Sequence, residues 1–209
     1  RDATSPAVDA GTTNGLMRYD GVPVQGLFRD IGAYESAFTY SQFSGPSGFG
    51  SGRSQATASL VDIDGDGDLD LVTSGVSNTA CNRKFQKYVN DGSGGFSGPT
   101  SFGTGASAGA VSFGDIDFDG DADFVALGET PCAGTLMEKY INDGSGNFVG
   151  SAIGTSRYIG SLALGDLDGD GDLDFVASGY AGGPQLLDKF INDGTGAFAG
   201  PTAFGREQC

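Results

Sequence analysis

The sequence predicts an all-β protein of tandem four-stranded antiparallel units, and three observations carry that reading. Gly accounts for 38 of the 209 residues and aromatic residues for 11%, with only 18% charged, a balance that favours turns and a packed core over disorder. Short apolar runs alternate and are bounded by Gly, Asn and Asp, as half-buried strands are. A nine-residue acidic stretch, Asp62-Ile63-Asp64-Gly65-Asp66-Gly67-Asp68-Leu69-Asp70, returns at Asp115–Asp123 and Asp166–Asp174, within a pattern repeating every 50 to 53 residues. Such a period means an array of similar units.

The acidic stretches constrain the rest of the chain. Two unit charges ~5 Å apart repel by roughly 3 kcal/mol at an effective dielectric near 20, so five carboxylates in one folded turn need a counter-charge. Calcium takes 6–8 oxygen ligands, and acidic loops supply them from alternate positions around a Gly that makes the sharp turn. Positions 1, 3 and 5 are Asp62, Asp64 and Asp66, then Asp115, Asp117 and Asp119, then Asp166, Asp168 and Asp170. Gly67, Gly120 and Gly171 hold position 6, and Asp70, Asp123 and Asp174 close the loop at position 9. Asp68, Asp121 and Asp172 stand at position 7, where the main-chain oxygen is the ligand and the side chain is left to water or to outer contacts. About three Ca2+ ions, one per loop, are expected. Magnesium fits less well, since it keeps several waters. A plain solvated turn would use the same residue types, but three copies with one spacing argue against it.

The three loops hold fifteen of the 27 acidic residues, so the formal charge of −16 is concentrated there. Three divalent ions, six positive charges, would reduce it to about −10. A nucleic-acid partner is not expected, because eleven scattered Lys and Arg form no basic stripe. No apolar run reaches the ~20 residues that span a bilayer. The chain starts at Arg1 without a visible signal peptide, which reads as a processed or partial product. Loops of this kind suit millimolar calcium, so an extracellular or cell-surface location is expected. Cys81 and Cys132 stand at similar places in neighbouring repeats and either pair or remain thiols, with Cys209 left over.

Along the chain, residues 1–35 form an extended N-terminal segment, 36–57 a partial repeat with an outer strand, and 58–108, 109–159 and 160–209 three repeats. In each repeat a first strand enters the acidic loop with alternating apolar residues on a buried face: Ala58 and Leu60, Val111 and Phe113, Leu162 and Leu164. A second strand leaves through Leu71-Val72, Phe124-Val125 or Phe175-Val176 and stops at Gly75, Gly128 or Gly179. A third ends in Lys87-Tyr88-Val89-Asn90-Asp91-Gly92, with counterparts ending at Gly144 and Gly194, and the Asn-Asp-Gly turn folds it onto a fourth strand. The Lys at this edge is read as a guard against sheet-to-sheet pairing. The fourth strand, Phe96-Ser97-Gly98-Pro99, recurs from Phe148 and Phe198 and also from Phe43, giving four copies against three loops.

These motifs resemble the FG-GAP/VCBS repeats, the integrin-type β-propeller units in which a D-x-D-x-D-G-x-x-D loop joins the two inner strands of a blade. The resemblance runs from about residue 36 to the end. It implies β-propeller-type blades with calcium at each loop and an adhesive or scaffold role outside the cell. The array is incomplete, three blades plus one extra strand, unless another chain closes it; propellers use 4–8 blades. Self-association through the N-terminal segment, which would make the chain the subunit of a head-to-tail extracellular filament, or binding to other surface proteins, is the expected partnership. Ser5-Pro6-Ala7-Val8-Asp9-Ala10-Gly11 and Arg29-Asp30-Ile31-Gly32-Ala33-Tyr34-Glu35 also resemble the closing coil of bacterial right-handed β-helix surface proteins.

No His is present, which removes the commonest general base and the Ser-His triads. Glu129 and Glu138 are the acidic pair outside the loops that catalysis could use, and a solvated surface is the simpler account of them. An enzyme is therefore not expected. A carbohydrate-binding, lectin-like role or an accessory domain of a secreted polysaccharide-active protein is the alternative, with Tyr158 and Tyr180 as stacking platforms. A receptor ectodomain that binds protein through its loops is a third reading.

Overall fold

The computed structural model describes residues 48, 50, 52–77, 83–130, 134–180 and 185–205. The N-terminal motifs, the three cysteines and most of the first Phe-Ser-Gly-Pro copy lie outside them. Eleven strands follow one another: β1 (Ser54–Val61), β2 (Asp70–Val76), β3 (Phe85–Asn90), β4 (Phe96–Phe102), β5 (Ser107–Gly114), β6 (Asp123–Glu129), β7 (Thr135–Asn142), β8 (Phe148–Gly165), β9 (Asp174–Tyr180), β10 (Gln185–Asn192) and β11 (Phe198–Gly205). No helix occurs among the described residues.

Each repeat is a four-stranded antiparallel meander. The first has the order β1-β2-β3-β4. The second and third share one long strand, because β8 pairs with β7 through its first half and with β9 through its second. The outer strand of one blade thus runs without a break into the inner strand of the next, and the twelve strands expected of the three repeats become eleven. Among the described residues the blades do not close into a ring.

Packing between blades makes the core. β6 is buried over six successive residues, as strands covered on both faces are. Period-two alternation sends Phe124 and Ala126 into a cluster with Phe85, Leu136 and Tyr140, while Val125 and Leu127 join Ile116, Met137, Phe175 and Phe190 on the other side. Phe124 stacks on Tyr140 with ring centroids 4.6 Å apart, and Phe175 on Phe190 at 4.4 Å. Each such pair adds about 0.5–1.5 kcal/mol beyond area burial.

Two expectations about the strands need correction. Ala58 and Leu60 are exposed, whereas Val111, Phe113, Leu162 and Leu164 are half-buried; among the described residues no blade precedes the first one and none covers its leading face. The second strands also do not stop at Gly75, Gly128 and Gly179. They run one residue further, and the glycines sit opposite register shifts in the inner strand. A Cβ at Gly128 would lie 2.7 Å from the Ser107 carbonyl oxygen, so Gly there permits a bulge to close onto its partner.

Candidate metal centre

The acidic loops join β1 to β2, β5 to β6 and β8 to β9, the inner pair of each blade. Gly67, Gly120 and Gly171 have φ of 92°, 96° and 99°, a left-handed turn that L side chains rarely adopt. That turn lets position 1 act as a local cap. Asp62 accepts from the Gly65 amide (2.8 Å) with one oxygen and from the Gly67 amide (2.9 Å) with the other, and Asp166 does the same with Gly169 and Gly171. Asp66, Asp119 and Asp170 each accept from the amide two residues on.

Position 9 is a staple. Asp70, Asp123 and Asp174 are fully buried at the start of the second strand. One carboxylate oxygen accepts from the amide at position 2 of its own loop, Ile63, Ile116 or Leu167, at 2.8–3.0 Å. The other accepts from the amide of Asn90, Asn142 or Asn192 at the end of the third strand, at 2.8 Å in each repeat. One side chain therefore fixes loop, second strand and third strand together.

Carboxylate oxygens converge in all three loops. Asp115, Asp117, Asp119 and Asp123 each bring one oxygen within 4.8 Å of the others, as do Asp62, Asp64 and Asp66, and Asp166, Asp168 and Asp174. These clusters could hold a metal ion, and the donor set fits one. Asp64 Oδ1, Asp115 Oδ1 and Asp117 Oδ1 are buried with no hydrogen-bond partner, an arrangement that a cation would satisfy and that otherwise costs about 1–3 kcal/mol per group. Burial, then neighbouring carboxylates, hold Asp64 and Asp117 above the usual carboxylate range, and burial pushes Asp123 up to about 6. All-oxygen donors suit a hard cation.

Asp68, Asp121 and Asp172 stand apart from these groups. Their side chains lie over Gly92, Gly144 and Gly194 in the turn between third and fourth strands, so they brace one loop against another. Asp70 and Asp170 also fall outside the groups of their loops.

The loops differ at position 4. Gly65 and Gly169 donate to Oδ1 of position 1, but Phe118 stands there in the second loop, at φ 62°, and Asp115 Oδ1 has no donor. This loop has the largest cluster and two of the three orphaned carboxylate oxygens.

Two groups escaped sequence reasoning. The Asn before each Asp-Gly turn joins repeats: Asn142 Nδ2 donates to the Ile63 carbonyl (2.8 Å) and Asn192 Nδ2 to the Ile116 carbonyl (2.7 Å). Lys87 and Lys139 donate to the carbonyls of Gly146 and Gly196, in the turn of the following repeat. They are inter-repeat ties, not edge guards. The only available signal was that Lys and Asn recur at fixed places in every repeat.

The remaining candidates separate. Glu129 pairs with Arg83 at 3.5 Å, and Glu138 accepts from the Tyr140 hydroxyl at 2.5 Å, so the two do not form an acid–base pair. Tyr180 is partly exposed, and the Tyr158 side chain lies outside the described residues. No described helix is long and apolar enough to cross a membrane.

A family model described as the FG-GAP-like repeat matches residues 62–126 and 137–177. The matched spans contain all three acidic loops. No curated protein matches the chain.

Proposed function

The chain belongs to the FG-GAP-like repeat family, and on that premise we propose that it is a non-enzymatic, calcium-stabilised extracellular module that serves as a surface scaffold or adhesion unit. The observation that carries this reading is the convergence of Asp115, Asp117, Asp119 and Asp123 around buried carboxylate oxygens that have no partner. Ca2+ would be held by these four residues, by Asp62, Asp64 and Asp66 in the first loop, and by Asp166, Asp168 and Asp174 in the third. The ion supplies positive charge where like charges are crowded.

The protein's own groups do the rest. The position 9 staple orients each cluster, and the inter-repeat Asn and Lys bonds pass the order of one loop to the next blade. Ion binding is then coupled to folding, and the role of the metal is rigidity. A rigid array outside the cell is suited to presenting its faces to other surface molecules.

Calcium titration of chelator-treated protein by calorimetry tests this. About three ions per chain are expected, with dissociation constants between ~10⁻⁵ and 10⁻³ M. No heat of binding and no bound calcium after equilibrium dialysis would remove the reading.

A further inference from the structure

We infer that the leading face of the first blade binds the trailing face of the third blade of a second copy of this chain, reproducing between molecules the contact that joins neighbouring blades. Four features, one of them found at the junction of the second and third blades and three at both internal junctions, recur at the two ends, half on each.

At the junction of the second and third blades, Leu173 covers Gly114 so closely that a Cβ at Gly114 would come within 2.5 Å of Leu173 Cδ1. The counterpart of Leu173 in the first blade, Leu69, is 54% exposed. The counterpart of Gly114 in the third blade, Gly165, has no atom of the described residues within 4 Å of where its Cβ would stand. One end offers the side chain and the other offers the space.

The position 2 residues repeat the pattern. Ile63 and Ile116 are buried, Ile63 beneath Gly146 and Ile116 beneath Gly196 of the next blade, while Leu167 in the third blade is 46% exposed. Gly94, the first-blade counterpart of Gly146, is exposed with no neighbour among the described residues within 4 Å of its Cβ position.

The polar ties are split in the same way. Asn142 and Asn192 each donate to a preceding loop's position 2 carbonyl, but among the described residues Asn90 Nδ2 donates only to Leu69 of its own loop. The Leu167 carbonyl receives no such donor among the described residues. Lys189, the counterpart of Lys87 and Lys139, makes no hydrogen bond or ion pair among the described residues. A second copy seats Leu69 on Gly165, Gly94 on Leu167, Asn90 Nδ2 at the Leu167 carbonyl and Lys189 Nζ at the Gly94 carbonyl.

The contact is heterologous, so it closes into a ring or continues as a filament. Two chains joined at both junctions carry six blades, within the 4–8 of closed propellers. The contact is read separately from calcium binding, because assembly is followed by sedimentation and ion uptake by titration on the same samples.

The test is analytical ultracentrifugation of the full chain at about 100 µM in calcium, with Leu69→Arg and Gly165→Lys variants whose folding is checked by circular dichroism. The wild type is expected as dimers or longer multiples, and each variant as monomer, with association weakened about ten- to hundredfold. Mixing the two variants leaves one intact junction and is expected to give a 1:1 complex that grows no further. Lys189→Ala is the second trailing-end variant should Gly165→Lys fail to fold. A monomeric wild type, which would mean the ends are covered otherwise, overturns the inference, as do variants that assemble like the wild type or that give no complex on mixing.

Discussion

The Asn142 side-chain amide donates to the Ile63 carbonyl at 2.8 Å, joining the end of one blade's third strand to the acidic loop of the blade before it, 79 residues away in sequence. The Asn142 backbone amide is held by Asp123 at 2.8 Å, so one residue ties two successive loops. The blades are therefore coupled through their candidate metal centres as well as through their apolar faces. Asn142→Ala removes the donor and leaves a buried carbonyl unpaired, which costs about 1–3 kcal/mol. Urea unfolding of the protein diluted to monomer should show that loss, and the equivalent Asn90→Ala change, with no partner loop described before it, should cost less under those conditions.

Two kinds of Asp stand in each loop, one that staples strands and one that crowds the cluster. Asp123→Asn keeps one acceptor oxygen but replaces the other with a donor that faces a backbone amide, so it should destabilise the protein with or without calcium, by about 2–4 kcal/mol. Asp117→Asn instead removes a charge from a crowded cluster. It should lower the melting temperature in calcium and leave it unchanged or raised in chelator. Matched thermal scans of the two variants check this.

The second loop should be the tightest site. It brings four carboxylates together and carries two orphaned oxygens where the other loops have one or none. Phe118 holds a left-handed backbone at φ 62° with its side chain exposed, which costs a non-glycine residue about 1 kcal/mol. Phe118→Gly should raise stability by about 0.5–1 kcal/mol in chelator, read by denaturant unfolding. It should also weaken calcium binding at this loop if the glycine amide turns onto Asp115 as its counterparts do in the other two loops.

Stability should respond to pH in opposite directions with and without calcium. Burial raises Asp123 to about 6 and holds Asp117 above its ordinary value of 3.8. Without a cation the folded chain then binds more protons than the unfolded chain between about pH 4 and 6, so stability falls as pH rises through that window. With calcium, protons compete with the ion for the same carboxylates, and stability should fall as pH drops through the same range. Asp91, Asp143 and Asp193 do not blur this. Side-chain hydrogen bonds from Ser93, Asn147 and Thr195 lower them, so their contribution is lost only as pH falls below the ordinary value of 3.8. Melting temperatures at pH 7 and 5, in calcium and in chelator, provide the test.

Strand order, loop positions and the hairpin turns were legible because they are local. Period-two alternation, Asn-Asp-Gly and the Asp spacing each act within about ten residues, and the blades follow from them. What joins the blades was not legible in the same way. The roles of Asn142 and Lys87 depend on which carbonyl lies opposite once two repeats stack, and no spacing within one repeat contains that. Leu60 was misread for the same reason, since alternation shows that a face is apolar but not whether a neighbour covers it. Gly128 looked like a stop because Gly often ends a strand, while here it admits a bulge.

The most direct test of the central claim, that divalent ions hold the three loops and through them the fold, is thermal unfolding of the full chain in millimolar calcium and in EDTA. Saturating three sites should raise the melting temperature by at least about 10 °C over the chelated protein. Coincident curves in calcium and EDTA would contradict the account.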